Sequence, residues 1–207
     1  MSQLAKDFNK ANAIKAIYIA EGGEKYTNDP NDRGGETRWG ITKAVAHQER
    51  FKHLWAKYNW DGNMRTLPEG MAFEIYETDY WHTLSLDRVM EYSTLLTYLL
   101  FNIGVNSGVG VAGKHLQRSL NLFNNCQKLY PDLNVDGKPG GVTIAALKKF
   151  LEARGRLGLQ VLVNNINGYQ TAFYSNIAEK NEEQEKYSFG WSARLFEALA
   201  HFKDEWM

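Results

Sequence analysis

The sequence predicts a mainly α-helical protein with one small β or irregular lobe near residues 24–41. Apolar residues recur three and four positions apart over most of the chain, which is the spacing of amphipathic helices. Residues 24–41 break this pattern, because they are dense in glycine, asparagine and aspartate, the residues of turns. A chain of 207 residues can form one core without disulfides, and its one cysteine, Cys126, cannot form an internal disulfide.

The individual helices follow from apolar spacing and from the residues that end helices. In the first helix, apolar positions over residues 4–18 share one face, and the helix ends at Gly22 and Gly23. Pro68 suits the first turn of a later helix. The polar run at residues 179–186 predicts a solvated helix end or loop. Further helices are predicted over residues 42–57, 68–84, 93–103, 111–124, 143–153, 157–179 and 191–202.

The charge pattern excludes one class of protein and marks one segment. Lys and Arg number 24 and Asp and Glu number 24, so a protein that binds nucleic acid through bulk positive charge is excluded. Residues 111–165 nevertheless carry a net charge of +5, which the rest of the chain balances with −5. Two interpretations stay open for this segment: chance clustering on exposed helix faces, or a surface that faces an anionic partner.

Export, membrane and metal signals are not found in the sequence. The N-terminus lacks the basic start, continuous apolar stretch and cleavage site of a signal peptide, and the apolar run over residues 95–105 is too short to cross a bilayer. We therefore expect a soluble protein without stable membrane insertion. The histidines are scattered, with neither an HExxH motif nor a Cys/His pair at metal spacing, so no metal and no cofactor is expected. Cys126 lacks a base partner and is expected to be a buried small apolar residue.

Glu21 is the candidate general acid. It stands where the first predicted helix ends, and the partial negative charge at the carbonyl end of a helix favours the protonated form of a carboxyl group. A protonated carboxyl group is what a general acid needs near neutral pH. The alternative is a solvated glutamate at a frayed helix end. Asp29, Asp32 and Thr37 follow within sixteen residues, in a turn-rich segment that could fold back over Glu21.

Two carboxyl groups in one cleft are the usual equipment of a glycoside hydrolase. One protonates the leaving oxygen, while the other orients water or attacks the sugar. Asp29 or Asp32 would be the second group, and the Thr37 hydroxyl could position the water. Both aspartates also lie in plain turn sequences, Asp29-Pro30 and Asn31-Asp32, so at least one is expected to be structural. A separation of about 5–5.5 Å would predict retention and about 6.5–9.5 Å inversion.

Candidate substrate-binding residues lie in three places. Gly22 and Gly23 can bring backbone close to a bound sugar, because glycine adopts positive φ without strain. Trp39 is a candidate sugar platform, with a place in the core as the alternative. Asn102 and Asn106 lie in an otherwise apolar helix and could bind acetamido groups, although helix termination is the alternative for Asn106. The two interpretations of Trp39 also apply to Tyr58, Trp60, Tyr80 and Trp81.

Several segments resemble a known family. Residues 21–42, EGGEKYTNDPNDRGGETRWGIT, are similar to the signature of glycoside hydrolase family 108, the N-acetylmuramidases. Three later segments agree in order: EIYETDYW at 74–81, FNIGVNSG at 101–108 and GWSARL at 190–195. The strings AGKHLQRSLN at 112–121 and VDGKPGGVTIAAL at 135–147 resemble the peptidoglycan-binding module that accompanies this catalytic domain.

The resemblance implies a lysozyme-like α+β fold and hydrolysis of the β-1,4 bond between N-acetylmuramic acid and N-acetylglucosamine in bacterial peptidoglycan, with Glu21 as the catalytic glutamate. It also implies a phage endolysin, which accumulates in the host cytoplasm until a holin or similar release factor lets it reach the wall and lyse the host. Glu24 stands where an aromatic residue commonly follows the EGG string, and Tyr26 is expected to supply that ring to the substrate.

We therefore expect a monomer with a catalytic region over residues 1–110 and a helical peptidoglycan-binding region over residues 111–207, packed into one globule or separate. Peptidoglycan is the expected partner, and nucleic acid is not. Two alternatives stay open. A lytic transglycosylase would let the C6 hydroxyl of the substrate attack the same bond and leave an anhydro sugar, and a non-catalytic protein would bind the wall without cutting it.

Overall fold

The computed structural model describes residues 2–28 and 35–206. These residues are mainly α-helical with one two-stranded sheet, which confirms the predicted mainly α, lysozyme-like class. The chain divides into two compact units. The N-terminal unit is Asp7–Asp79, and the helical unit is the chain from Tyr80 onward together with the short helix α1 (Gln3–Lys6). Within the ranges described, every helix is too short or too polar to cross a bilayer.

The elements follow in chain order. The N-terminal unit contains α2 (Lys10–Ala20), β1 (Thr37–Arg38), β2 (Ile41–Thr42), α3 (Lys43–Ala46), a 3-10 turn (Glu49–Phe51), α4 (Lys52–Lys57), a second 3-10 turn (Met64–Thr66) and α5 (Glu69–Tyr76). A π-helical segment (Glu77–His82) follows α5. The helical unit contains α6 (Leu86–Met90), α7 (Thr94–Ser107), α8 (Val109–Leu122), α9 (Gly141–Lys180), a 3-10 turn (Glu182–Gln184), α10 (Glu185–His201) and α11 (Lys203–Trp206).

Helices α2 and α5 form the core of the N-terminal unit. The Asn9 side chain caps α2 by accepting a hydrogen bond from the Asn12 amide, and this cap divides the single helix predicted from residue 4 into α1 and α2. The two helices contact each other through apolar faces, and each large side chain buried there contributes about 1.5–3 kcal/mol. The buried residues are Ala13, Ile14, Ile17, Tyr18, Met71, Ala72, Ile75 and Tyr76.

Strands β1 and β2 form a hairpin with a two-residue turn. The strands pair antiparallel from Thr37 to Thr42, which leaves Trp39 and Gly40 as the turn. Both turn residues have positive φ, 56° for Trp39 and 71° for Gly40, as a type I′ turn requires. This hairpin is the β element of the lobe predicted near residues 24–41.

Two predicted helices are interrupted. The helix predicted over residues 42–57 is interrupted at Gln48, whose extended backbone separates α3 from the 3-10 turn that leads directly into α4. The helix predicted over residues 68–84 is α-helical to Tyr76 and π-helical to His82. Left-handed Ser85, with φ of 53°, then begins the separate helix α6. Apolar spacing did not reveal these breaks, because the core-facing residues keep their spacing on both sides of each break.

Helix α7 is the centre of the helical unit. Ser93 caps its start, because the Ser93 hydroxyl accepts a hydrogen bond from the Leu96 amide, and the helix is buried along residues 95–104. Helices α8, α9 and α10 all contact it. The Glu205 carboxylate accepts hydrogen bonds from the first two amides of α7 at 3.2 and 2.7 Å, so a residue near the C-terminus also caps this helix.

The long helix α9 is interrupted at Gly155. The backbone there has φ of 58° and ψ of −149°, a conformation that is essentially restricted to glycine. The two helices predicted over residues 143–153 and 157–179 agree with the two halves of α9. The polar run at residues 179–186 is mostly exposed and contains the turn between α9 and α10, as predicted.

Cys126 corrects one sequence prediction. It is exposed, whereas burial was expected. Asn125, Cys126 and Gln127 all have positive φ, between 53° and 64°, so this stretch is a tight turn. The expectation rested on the average burial of cysteine, which local backbone geometry overrides here.

Candidate active site

Glu21 lies at the carbonyl end of α2 and is half-buried. Its amide donates a hydrogen bond to the Ile17 carbonyl at 2.9 Å. The amides of Gly22 and Gly23 then donate back to carbonyls of the last helical turn at 3.1 and 2.9 Å, the two hydrogen bonds of a Schellman motif. Gly22 and Gly23 have φ of 112° and 58°, so the helix ends at these glycines as predicted. The backbone therefore holds the Glu21 carboxyl group at the negative end of the helix.

The hairpin turn packs directly against Glu21. A side chain at Gly40 would meet the Tyr76 hydroxyl, and its Cβ would lie 2.9 Å from the Cβ of Glu21. Tyr76 is buried, and its hydroxyl donates a hydrogen bond to the Trp39 carbonyl at 3.2 Å. The Trp39 amide donates to the Gly23 carbonyl at 2.9 Å. The turn is thus bonded both to α5 and to the segment that follows Glu21, and it restricts where the Glu21 side chain can lie.

The Trp39 side chain connects the hairpin to the aromatic core of the unit. Its indole N–H donates to the Leu67 carbonyl at 3.0 Å, and its ring meets the Tyr18 ring edge to face at 5.4 Å. The Tyr18 hydroxyl donates to the Glu69 carboxylate. Burial raises the pKa of Tyr18, and the neighbouring Glu69 raises it further. Trp39 is half-buried, so part of its ring stays exposed, and its use as a sugar platform stays a prediction.

Thr37 lies in β1, on the strand that leads to this turn. Its amide and carbonyl bond to Thr27 at 2.9 Å, and its hydroxyl donates to the Gly35 carbonyl at 3.2 Å. The hydroxyl oxygen keeps acceptor capacity for a water molecule. The two other catalytic candidates, Asp29 and Asp32, lie outside the described residues. Among the residues that are described, no three His, Cys, Asp or Glu side chains come together so as to hold a metal ion.

Charged side chains line the hairpin. The Arg38 guanidinium pairs with the Glu24 carboxylate at 2.7 Å and also donates to the Arg65 backbone carbonyl. The Arg65 guanidinium lies over the Tyr26 ring, 4.2 Å from the ring centroid. One face of Tyr26 is therefore occupied, and a sugar could contact only the other face.

Asn102 and Asn106, the remaining binding candidates, belong to the helical unit. Asn102 is buried, with 4% of its surface exposed. The Asn106 side chain donates to the Asn102 backbone carbonyl at 2.8 Å and to the Asn102 side-chain oxygen at 3.3 Å, and it accepts a hydrogen bond from the Arg194 guanidinium. Helix α7 continues to Ser107 and is capped by Gly108. Both amides are therefore engaged within the unit, and their binding of acetamido groups stays a prediction.

Sequence reasoning missed Gly40 and Tyr76. The dipeptide Trp39-Gly40 between two strand-forming residues is a signal for the turn, because glycine favours the positive φ required there. No local signal connects Tyr76 with Glu21, since 55 residues separate them in the chain. Among the other aromatic candidates, Trp60 and Trp81 are buried in the cores of their units, whereas Tyr58 and Tyr80 are half-buried.

Two family models match adjacent parts of the chain. Residues 14–108 match the family Glycosyl hydrolase 108, and residues 111–196 match the Predicted Peptidoglycan domain. The Glu21 site lies within the first match. The two matches meet between residues 108 and 111, whereas the compact units meet at residues 79 and 80.

A solved structure has a similar fold. The structure of Brucella abortus SagA matches with a TM-score of 0.63 and 22% sequence identity, covering 93% of this chain and 94% of that chain. At this identity the likeness concerns the fold alone. A comparison with curated proteins found no significant match.

The two family matches together span most of the chain. By these matches, residues 14–108 are a glycosyl hydrolase 108 domain and residues 111–196 are a peptidoglycan domain, and the two domains together indicate a peptidoglycan-degrading enzyme.

Proposed function

We propose that the chain hydrolyses the β-1,4 bond between N-acetylmuramic acid and N-acetylglucosamine in peptidoglycan, with Glu21 as the general acid. The observation that carries the proposal is the position of Glu21, which is half-buried at the carbonyl end of α2 and covered on one side by the hairpin turn. In its protonated form, Glu21 would donate a proton to the glycosidic oxygen as the bond to the sugar breaks.

A second carboxylate would assist the step at the sugar carbon. We assign it to Asp29 or Asp32, with the Thr37 hydroxyl accepting a hydrogen bond from the attacking water. The carboxylate would take the proton of that water in an inverting reaction or attack the sugar carbon itself in a retaining one. Gly22, Gly23, Tyr26 and Trp39 would contact the sugar from the same unit.

Replacing the acid tests the proposal. Glu21→Gln keeps the size of the side chain but has no proton to donate to the leaving group, so wall lysis should fall by about 10²–10⁴ while the melting temperature stays unchanged. Glu24→Gln is the matched control, because it removes an exposed carboxylate three residues away and should keep near-normal lysis. Near-normal lysis of purified walls by Glu21→Gln would overturn the proposal.

A pair of variants identifies the second carboxylate. Of Asp29→Asn and Asp32→Asn, one should lower the lysis rate by at least about 10² and the other should act mainly on stability, since both aspartates stand in turn sequences. Lysis rates and melting temperatures of the two proteins separate these effects. If both variants keep full activity, the chain has no second catalytic carboxylate at these positions.

We further propose that the chain acts as a phage-type endolysin, with a catalytic region over residues 1–110 and a wall-binding region over residues 111–207. A holin or similar release factor would give it access to the wall. Expression of the chain in a bacterium should cause lysis only when a pore-forming protein is expressed with it. Lysis without the pore would contradict dependence on a release factor.

A further inference from the structure

A pocket of about 220 Å³ opens beside the break in α9. The Phe123 and Phe150 rings stack at a centroid distance of 6.1 Å in its wall. An apolar cavity of about 150 Å³ can hold a benzene molecule, so this pocket has room for a small alkyl group and the backbone that carries it. The pocket is lined by Phe123, Phe150, Arg154, Leu157, Gly158 and Val161.

Two glycines give this pocket its shape. Gly155 has a backbone conformation essentially restricted to glycine, and it separates Phe150 from Val161 along α9. At Gly158, a methyl group would collide with the Arg154 side chain. Glycine is therefore required at both positions, by the backbone conformation at Gly155 and by the lack of space at Gly158.

The apolar part of the lining is open to solvent. Leu157 is 69% exposed and Val161 is 40% exposed, although both lie beside buried residues of the same helix. A ligand that covered them would remove apolar surface from water at about 25 cal/mol per Å². The lining can therefore gain free energy from an apolar group.

The polar part of the lining is a cation. Arg154 is exposed, and within the described part of the chain its guanidinium group forms no ion pair. Glu152, the nearest acid on this helix, pairs instead with Lys148 at 3.8 Å. The surrounding residues 111–165 carry a net charge of +5. An anionic group at the edge of the pocket would therefore meet an available guanidinium in a positive environment.

We propose that this pocket binds a short peptide that ends in a small alkyl residue with a free carboxylate, as the alanine-terminated peptides of peptidoglycan do. The alkyl group lies between the phenylalanines and Val161, and the carboxylate accepts hydrogen bonds from Arg154. The choice of the wall as the source rests on the proposed function. A long lipid chain is a poorer occupant, because the pocket has the volume of a few small groups only.

Titration of the full chain with N-acetyl-D-alanyl-D-alanine, followed by the NMR shifts of backbone amides, tests the proposal. The peptide should bind saturably, with shifts confined to residues near Phe123, Arg154 and Val161. Its C-terminal amide has the same alkyl groups without the charge, and it should bind about tenfold more weakly. Equal binding of acid and amide, absence of binding, or shifts elsewhere would overturn the proposal.

Two arginine variants isolate the carboxylate contact. Arg154→Gln should lose the preference for the acid over the amide. Arg156→Gln should keep it, because Arg156 lies two residues further along α9 and faces the Asp204 carbonyl at 3.4 Å. Preserved acid preference in Arg154→Gln would contradict the assignment. The assignment would also be contradicted if the chain bound phosphatidylglycerol vesicles through Arg154 but did not bind the peptide.

The binding assay needs no turnover, so its outcome is separate from that of the hydrolase proposal. If the chain lyses walls but does not bind the peptide, the pocket proposal is wrong and the hydrolase proposal stands. If it binds the peptide but releases no sugar product, the hydrolase proposal is wrong. Circular dichroism of both arginine variants checks that each is folded.

Discussion

The N-terminal unit and the helical unit are built by different means. The candidate site of the N-terminal unit depends on residues with positive φ, namely Gly22, Gly23, Trp39 and Gly40. The helical unit depends on long helices, with α7 buried along residues 95–104. In the first unit, the backbone angles of a few residues determine where the Glu21 side chain lies. In the second unit, many apolar contacts together stabilise the helices. Single substitutions should therefore affect activity in the first and stability in the second.

Among the substitutions that test this difference between the units, Gly40→Ala is expected to have the largest effect. The new Cβ would meet the Tyr76 hydroxyl and lie 2.9 Å from the Glu21 Cβ, so it should displace Glu21 and lower the lysis rate by about 10². Gly35→Ala is the control, because Gly35 also has positive φ, 62°, but its Cβ would meet nothing within 4 Å. Each variant bears about 1–2 kcal/mol of backbone strain, and only Gly40→Ala adds a collision. Lysis rates and unfolding free energies measure both effects.

Tyr76→Phe provides a milder version of the same test if Gly40→Ala does not fold. It removes the hydroxyl that bonds to the Trp39 carbonyl, and loss of this hydrogen bond costs about 1 kcal/mol of stability. The turn should then hold Glu21 less firmly and kcat should fall severalfold with KM little changed. A kcat equal to that of the wild type in Tyr76→Phe would show that the turn does not position Glu21.

A smaller effect, on stability alone, is expected from His115 in the helical unit. Its ring is buried and stacks on Tyr169 at 5.6 Å. Burial lowers the pKa of His115 to about 4, and the positive charge of Arg118 acts in the same direction. In the unfolded chain, His115 binds a proton at about pH 6.5. The stability that neutral His115 contributes is therefore fully present above that pH, and it is lost as the pH falls toward about 4.

Melting temperatures recorded between about pH 7 and about pH 4 check this expectation. His115→Leu should flatten the decline, because the group that takes up the proton on unfolding is gone. His53→Leu, at an exposed histidine of the N-terminal unit, should keep the wild-type decline. An unchanged pH dependence in His115→Leu would assign the effect to other groups.

The smallest effect is expected from the positive surface of the helical unit. Replacing exposed Lys148 and Lys149 by Gln removes two charges from the +5 segment and should weaken association with purified sacculi at low salt. Catalysis on soluble fragments should stay normal. If the salt dependence of sacculus association is unchanged, the +5 segment does not bind the wall, and its charge is explained by chance clustering on exposed helix faces.

Sequence periodicity predicted most of the helical unit because its helices bury continuous apolar faces. Ser93 capped α7 at the predicted start, and the break at Gly155 agreed with a predicted gap between two helices. The interruption at Gln48 escaped prediction, since a change of backbone angle leaves apolar spacing intact. The prediction that Cys126 is buried, which rested on the average burial of cysteine, was wrong because the residue lies in an exposed tight turn.

The candidate site was predictable only in its local part. The glutamate before two glycines indicated a helix end, and the structure has the corresponding Schellman motif at Gly22 and Gly23. The approach of Gly40 and Tyr76 to Glu21 arises from the packing of α5 and the hairpin against α2. Such nonlocal contacts have no counterpart in the spacing of residues along the chain.

The central claim is that Glu21 supports hydrolysis, and the products of wall digestion in heavy-oxygen water test it most directly. Mass analysis of the released sugar peptides should show reducing N-acetylmuramic acid ends that carry one heavy oxygen, and these products should be lost with Glu21→Gln. Anhydro sugar ends without heavy oxygen would show a lytic transglycosylase and contradict the account.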